Sequence, residues 1–294
     1  MKLKKPFTGI IAFIIILFSM ALGHTGMILM EHIFGHEYVY LVALVLGFFG
    51  LIILVWGVIS VSDIKATFFG LFGGMFIWTG WVEFAYVYYA NRYGVEPLMV
   101  GSEIVTKPEY LIMPSSVGFW AVFMIYYFLG TRSGCNFFNW FQKKMNIQNI
   151  NELKPAKRNS AISTFLELTL LMWTFYLVLL FVYDDQFMGD RHPMAYLVAF
   201  GSLVWSLFLV KKLLRINDMA YAIRYSIPTV IIFWNFVEIL GRWDVFKEIW
   251  IEPQKYWLEM LLTAIAFIVL LIISVTTHKK RKGGNKTEAK IKLL

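Results

Sequence analysis

Residues 38–61 read YVYLVALVLGFFGLIILVWGVISV, without one Asp, Glu, Lys, Arg or His. Coiled at about 1.5 Å per residue, such a run covers the roughly 30 Å hydrocarbon core of a bilayer. Its apolar residues are continuous rather than alternating, which reads as a buried helix and not as a half-buried strand. A helix also satisfies its own backbone groups in lipid, where no water can do so.

Working outward from this run, seven more segments have the same character, at about 7–31, 66–90, 111–131, 161–183, 193–210, 219–240 and 256–277. The expectation is an all-α integral membrane protein with eight transmembrane helices. Composition agrees: of 294 residues, 59% are hydrophobic, 18% aromatic and only 16% charged. A soluble domain carries about a quarter charged residues, so an ordinary soluble enzyme is excluded, and the aromatic content excludes a disordered chain. The single cysteine, Cys135, excludes an intramolecular disulfide, an iron–sulfur cluster and a cysteine-based zinc site. No phosphate-binding glycine loop, nucleophile elbow or kinase signature is present.

Lys and Arg are distributed by side. The N-terminal tail, the linkers after spans 2, 4 and 6 and the C-terminal tail hold 21 of them, counting Arg224 in the first turns of span 7, against 6 in the other linkers. The positive-inside rule therefore places both termini in the cytoplasm. The opposite ends carry 11 acidic residues, among them Glu31, Glu37, Asp184, Asp185, Asp190 and Glu252. The net charge of +8 is thus a topology signal and not a sign of nucleic-acid binding. The tail His278-Lys279-Lys280-Arg281-Lys282 is suited to anionic lipid head groups. The first apolar run continues past the weak small-residue site Ala21-Leu22-Gly23, so it reads as a retained span rather than a cleaved signal peptide. Compact loops and an Ile/Lys/Asn-rich composition suggest a bacterial inner (cytoplasmic) membrane.

The two halves resemble each other. Tyr40-Leu41-Val42-Ala43 matches Tyr196-Leu197-Val198-Ala199, 156 residues on, and His36 matches His192 at the same offset. With a one-residue gap, Asp63 matches Asp218 and Val82-Glu83 matches Val237-Glu238; the gap then closes and Glu96-Pro97 matches Glu252-Pro253. This predicts a 4+4 parallel tandem repeat about a pseudo-twofold axis along the membrane normal. The expected units are a first repeat at 1–131, a linker with an interfacial helix at 132–160, a second repeat at 161–277 and a basic tail at 278–294. Asp63 and Asp218 precede spans 3 and 7 and are expected to cap them.

An intramembrane carboxylate is expensive and normally faces a partner or a water-filled cavity. Glu83 and Glu238 are therefore the first candidates, each about 18 residues into its span and so toward the outer side. Glu167, near the inner end of span 5, extends a candidate proton or cation path. His32 and His36, four apart, would share a helical face if the helix ran through Gly35. With His192, Glu83 and Glu238 they form a candidate metal set, suited to copper, iron or zinc. Haem held by His36 and His192, or through His24, is the related alternative. Trp78, Trp81, Trp234 and Trp243 cluster near the outer face, as an interfacial aromatic belt or as a rim around an apolar ligand. The outer loop 91–110 exceeds its counterpart 241–255 and suits a lid or a partner contact.

Three functions follow. The leading expectation is a metal- or haem-bearing redox site at the outer face, in a subunit of a membrane oxidoreductase. The alternatives are a proton- or cation-coupled transporter using the paired glutamates, and a non-catalytic membrane subunit that meets partner subunits in the bilayer.

Overall fold

The computed structural model describes residues 4–100, 103–130, 136–145 and 159–291. Eight helical segments are long and apolar enough to span a membrane: span 1, Phe7–Gly35; span 2, Glu37–Ile59; span 3, Asp63–Arg92; span 4, Pro108–Phe128; span 5, Ser160–Tyr183; span 6, Pro193–Leu213; span 7, Met219–Arg242; and span 8, Trp257–Thr276. A short helix, Asn136–Lys144, follows span 4, where the interfacial helix is expected. Cys135 lies outside the described residues.

Spans 1, 3, 5 and 7 form the centre. Ala12, Ile15, Leu71, Leu168, Leu171, Ile223 and Ile227 meet there in one fully buried cluster. Spans 4 and 8 are the least buried of the eight. Their exposed rows, such as Phe119, Val122, Ile265 and Ile268, suit contact with lipid. Between helices in lipid the hydrophobic effect offers little, so close van der Waals approach at small residues must do more. Span 3 meets that need with Gly70, Gly73, Gly74 and Gly80, which face Ala161, Gly50, Leu168 and Ala43 respectively.

The central packing has a regular plan. Span 7 lies on span 1, where Ser226 Oγ donates to Ala12 O at 3.2 Å. Span 3 lies on span 5, with Gly70 against Ala161. At the basic end, Gly9 of span 1 meets Leu213 of span 6, and Gly57 of span 2 meets Ala161 of span 5. The Lys5 backbone N–H donates to Asn217 Oδ1 at 3.0 Å, and Ser160 Oγ donates to Asp63 Oδ1.

Three local features depart from the sequence reading. Gly35, with φ of 59°, breaks the helix between spans 1 and 2 in a conformation that glycine adopts without steric cost. Asp218 caps span 7 by accepting from Tyr221 N, as expected, whereas Ser62 holds the cap position of span 3 without a side-chain cap hydrogen bond, and the first residue of that helix is Asp63. It pairs instead with Arg224 across the bundle, at 3.1 Å from Nη1 and 3.3 Å from Nη2, and the same guanidinium donates to Thr67 Oγ1 at 2.6 Å. The long loop at the acidic end folds as an antiparallel hairpin, β1 (Leu98–Val100) with β2 (Glu103–Thr106), directly before span 4.

Candidate functional site

Glu83 closes a π-helical turn, Trp78–Glu83, inside span 3. Such turns are rare, misalign the hydrogen-bond ladder and gather at functional sites. The Glu83 side chain is buried, and its Oε1 accepts from the Tyr176 hydroxyl of span 5 at 3.0 Å. Tyr176 stacks between Trp78 and Tyr110, with ring centroids 5.9 and 6.1 Å away. Beside Tyr110 stands Glu109, at the first turn of span 4 and 5% exposed. Tyr110 and Tyr176 thus link Glu109, the neighbour of Tyr110 in the chain, to Glu83 through one ring stack and one hydrogen bond.

Glu238 is held by its own helix and by span 1. Trp234 Nε1 donates to its Oε1 at 2.6 Å, and His24 Nε2 lies 3.7 Å from the same oxygen. The His24 Nδ1 faces the Met20 carbonyl at 3.1 Å. A carbonyl only accepts, so Nδ1 carries the hydrogen and Nε2 turns toward Glu238. The His24 ring also stacks on Trp234, and Trp250 packs on the other side of that indole.

A fourth acid joins from the loop after span 7. Glu248 folds back onto Gly241, where any Cβ would overlap its carboxyl group. Burial first, and the charge of Glu238 second, push its carboxyl up to about 7, against an opposing pull from His24. Raised above the unfolded value, this group binds more protons in the folded than in the unfolded protein between about pH 4.5 and 7. Stability must therefore fall as pH rises through that window. Glu248 is partly exposed, which reduces the effect to roughly 1–2 kcal/mol. The melting temperature at pH 5 is expected to exceed that at pH 8, and Glu248→Gln should flatten the profile. An unchanged profile in the variant would remove Glu248 as the cause.

The remaining candidates are dispersed. His192 caps span 6, its Nδ1 accepting from Met194 N at 3.2 Å. His32 is exposed and separated from His36 by the break at Gly35, so the pair does not share a continuous helical face. The His36 side chain lies outside the described residues. Glu167 is buried in span 5, two and a half turns before Tyr176. Among the described residues, no three His, Cys, Asp or Glu side chains gather as a metal site would require. The tryptophans divide: Trp78 and Trp234 flank the carboxylates, whereas Trp81 donates to Leu44 O and Trp243 to Asp190 O, each pinning an element.

His24, Tyr110, Tyr176, Glu109 and Glu248 complete the neighbourhood around Glu83 and Glu238, yet only His24 carried a signal in the sequence, as a lone histidine within a span. The fold defines a polytopic helical membrane protein that carries glutamates within spans 3 and 7, toward the acidic end of its bundle. No protein family, curated protein or solved structure matches the chain.

Proposed function

We propose that the protein is a proton-coupled cation transporter in which Glu83 and Glu238 are the exchanging carboxylates. The observation that carries this reading is that two glutamates within spans 3 and 7, Glu83 buried and Glu238 a quarter exposed, each contact a group that can carry a proton: the Tyr176 hydroxyl and the His24 ring. Their neighbourhood holds more acids than bases, which favours a proton or a cation over an anion. At the opposite end, Asp63, Arg224, Thr67 and Ser160 tie spans 3, 5 and 7 together. A bundle ionically tied at the end opposite its intramembrane glutamates suits one state of an alternating-access cycle. The π-turn in span 3 and Pro228 within span 7 are weak points about which each helix can bend.

A tandem duplication is part of this proposal. Equivalent contacts support it: span 7 on span 1 mirrors span 3 on span 5, Lys5 with Asn217 mirrors Ser160 with Asp63, and Gly9 with Leu213 mirrors Ala161 with Gly57. The charge distribution supports cytoplasmic termini and the acidic cluster on the outer side, and an inner bacterial membrane is the proposed location. The metal or haem reading is placed behind this one because, among the described residues, no three His, Cys, Asp or Glu side chains gather as a metal site would require.

The test is flux. Purified protein in pyranine-loaded liposomes, given an inward gradient of Na⁺, K⁺ or guanidinium in turn, is expected to drive proton efflux with at least one of them. Glu83→Gln and Glu238→Gln should each lower that rate at least about tenfold, as expected when a general proton carrier is lost. Proton flux that is absent with every cation, or unaltered in both variants, would overturn the reading.

A further inference from the structure

A cavity of about 410 Å³ opens at the acidic end among spans 1 to 4; it shares Glu109 with the surroundings of Glu83, but neither Glu83 nor Glu238 lines it. Its apolar wall is Ile28, Val39 and Val87, and its charged side is Glu31, Lys107 and Glu109, with His32 at the edge. Lys107 Nζ stands between the two acids, 3.7 Å from Glu31 Oε2 and 4.0 Å from Glu109 Oε1. Both distances exceed the 2.7–2.9 Å of a charge-assisted hydrogen bond. The lysine thus neutralises without saturating the carboxylates. Glu109 Oε1 is buried and has no hydrogen-bond partner, although its residue is only 5% exposed. A buried carboxylate oxygen left in this state is costly, and a ligand that donates to it recovers the cost.

The geometry points to a binding site for a small organic ammonium compound, in which Glu109 and Glu31 take the cationic head and the apolar wall takes its hydrocarbon. Two acids and one lysine leave the charged side net negative, which selects a cation. The volume falls in the range of organic ligands and is many times that of one water, so a bare metal ion would leave it mostly empty. The Lys107 ammonium group already occupies the head position as a tethered stand-in, on the residue that follows β2. Displacing it would free the hairpin from this anchor. Tyr110, which follows Glu109, stacks on Tyr176, whose hydroxyl donates to Glu83, so this chain of contacts joins the cavity to one of the exchanging carboxylates. The inference deepens the transport reading by naming its substrate class.

Calorimetry tests it with n-butylammonium titrated into the full chain in lipid nanodiscs, with empty nanodiscs subtracted. Saturable one-to-one binding is expected, with none for neutral 1-butanol. Glu109→Gln should weaken it at least about tenfold, the loss of one hydrogen bond to a buried charge. Lys107→Met should strengthen it about fivefold or more by removing the tethered competitor. Glu31→Gln, at the more exposed rim, should weaken binding and serves where Glu109→Gln does not fold. No saturable binding in both the wild type and Lys107→Met would overturn the inference. So would equal affinity for 1-butanol, or unchanged affinity in the folded acid variants. Binding is read without flux: binding with no flux defeats the transport reading alone, and flux with no binding defeats this one alone.

Discussion

Gly70→Val is expected to lower stability by about 3 kcal/mol or more, near the top of the range for overpacked cores. A Cβ at Gly70 would overlap the carbonyl oxygen of Ala161 and approach its Cα and carbonyl carbon at 2.8 and 2.9 Å. These are backbone atoms at the first turn of span 5, so no side chain can rotate away. Spans 3 and 5 would have to separate, which also pulls Tyr176 from Glu83. Gly9→Val should behave alike, because its Cβ would lie 2.6 Å from the Leu213 carbonyl oxygen. Gly118 and Gly201 are the controls. Nothing lies within 4 Å of a Cβ at either, and both are helical, so alanine there should be neutral or slightly stabilising. Thermal or SDS-driven unfolding in mixed micelles gives the comparison. A Gly70→Val protein that melts with the Gly118→Ala control would show that the spans do not meet as described.

The eight spans were legible because a bilayer imposes one length and one polarity on every crossing helix. Boundaries shifted where charges sit at helix ends. Span 4 begins at Pro108 rather than near 111, because Lys107 and Glu109 interrupt the apolar run from which its start was read. That same interruption concealed Glu109, which reads as a loop acid and is buried because the first turn of span 4 packs against the end of span 3. Glu248 was hidden for a similar reason: its burial depends on the loop returning to Gly241. Tyr110 and Tyr176 are two of 15 tyrosines in an aromatic-rich chain, and nothing in their spacing separates them from packing residues. Glu83 and Glu238 stood out because acids within apolar runs are rare. His32 and His36 failed as a helical pair at Gly35, the glycine already conspicuous between them. His192 had a further signal in the Pro193 that follows it, since proline favours the first turn of a helix and its predecessor then becomes the cap.

Arg242→Met should cost about 3 kcal/mol and loosen the whole acidic end of the bundle. The guanidinium is 14% exposed and joins three elements. Its Nε donates to Asp190 Oδ1 in the loop before span 6 at 2.6 Å, its Nη2 donates to Thr106 Oγ1 at the end of β2 at 3.2 Å, and it lies over the Tyr183 ring at the end of span 5. Methionine keeps much of the apolar stem but leaves Asp190 charged and without its cation. Breaking a fully buried pair costs roughly 3–5 kcal/mol, and the 31% exposure of Asp190 argues for the lower end. The hairpin and the loop at 184–192 lose their common tie, so faster amide exchange is expected in both, with spans 3 and 7 little affected below Glu83 and Glu238. Arg242→Met with Asp190→Asn removes the orphaned charge and should recover about half the loss. If the single variant instead loses stability with no change in exchange in either segment, Arg242 supports span 7 alone. Recovery in the double variant together with restored protection of the hairpin would assign the loosening to the orphaned Asp190 charge, since Asp190→Asn is the one change that separates the two proteins.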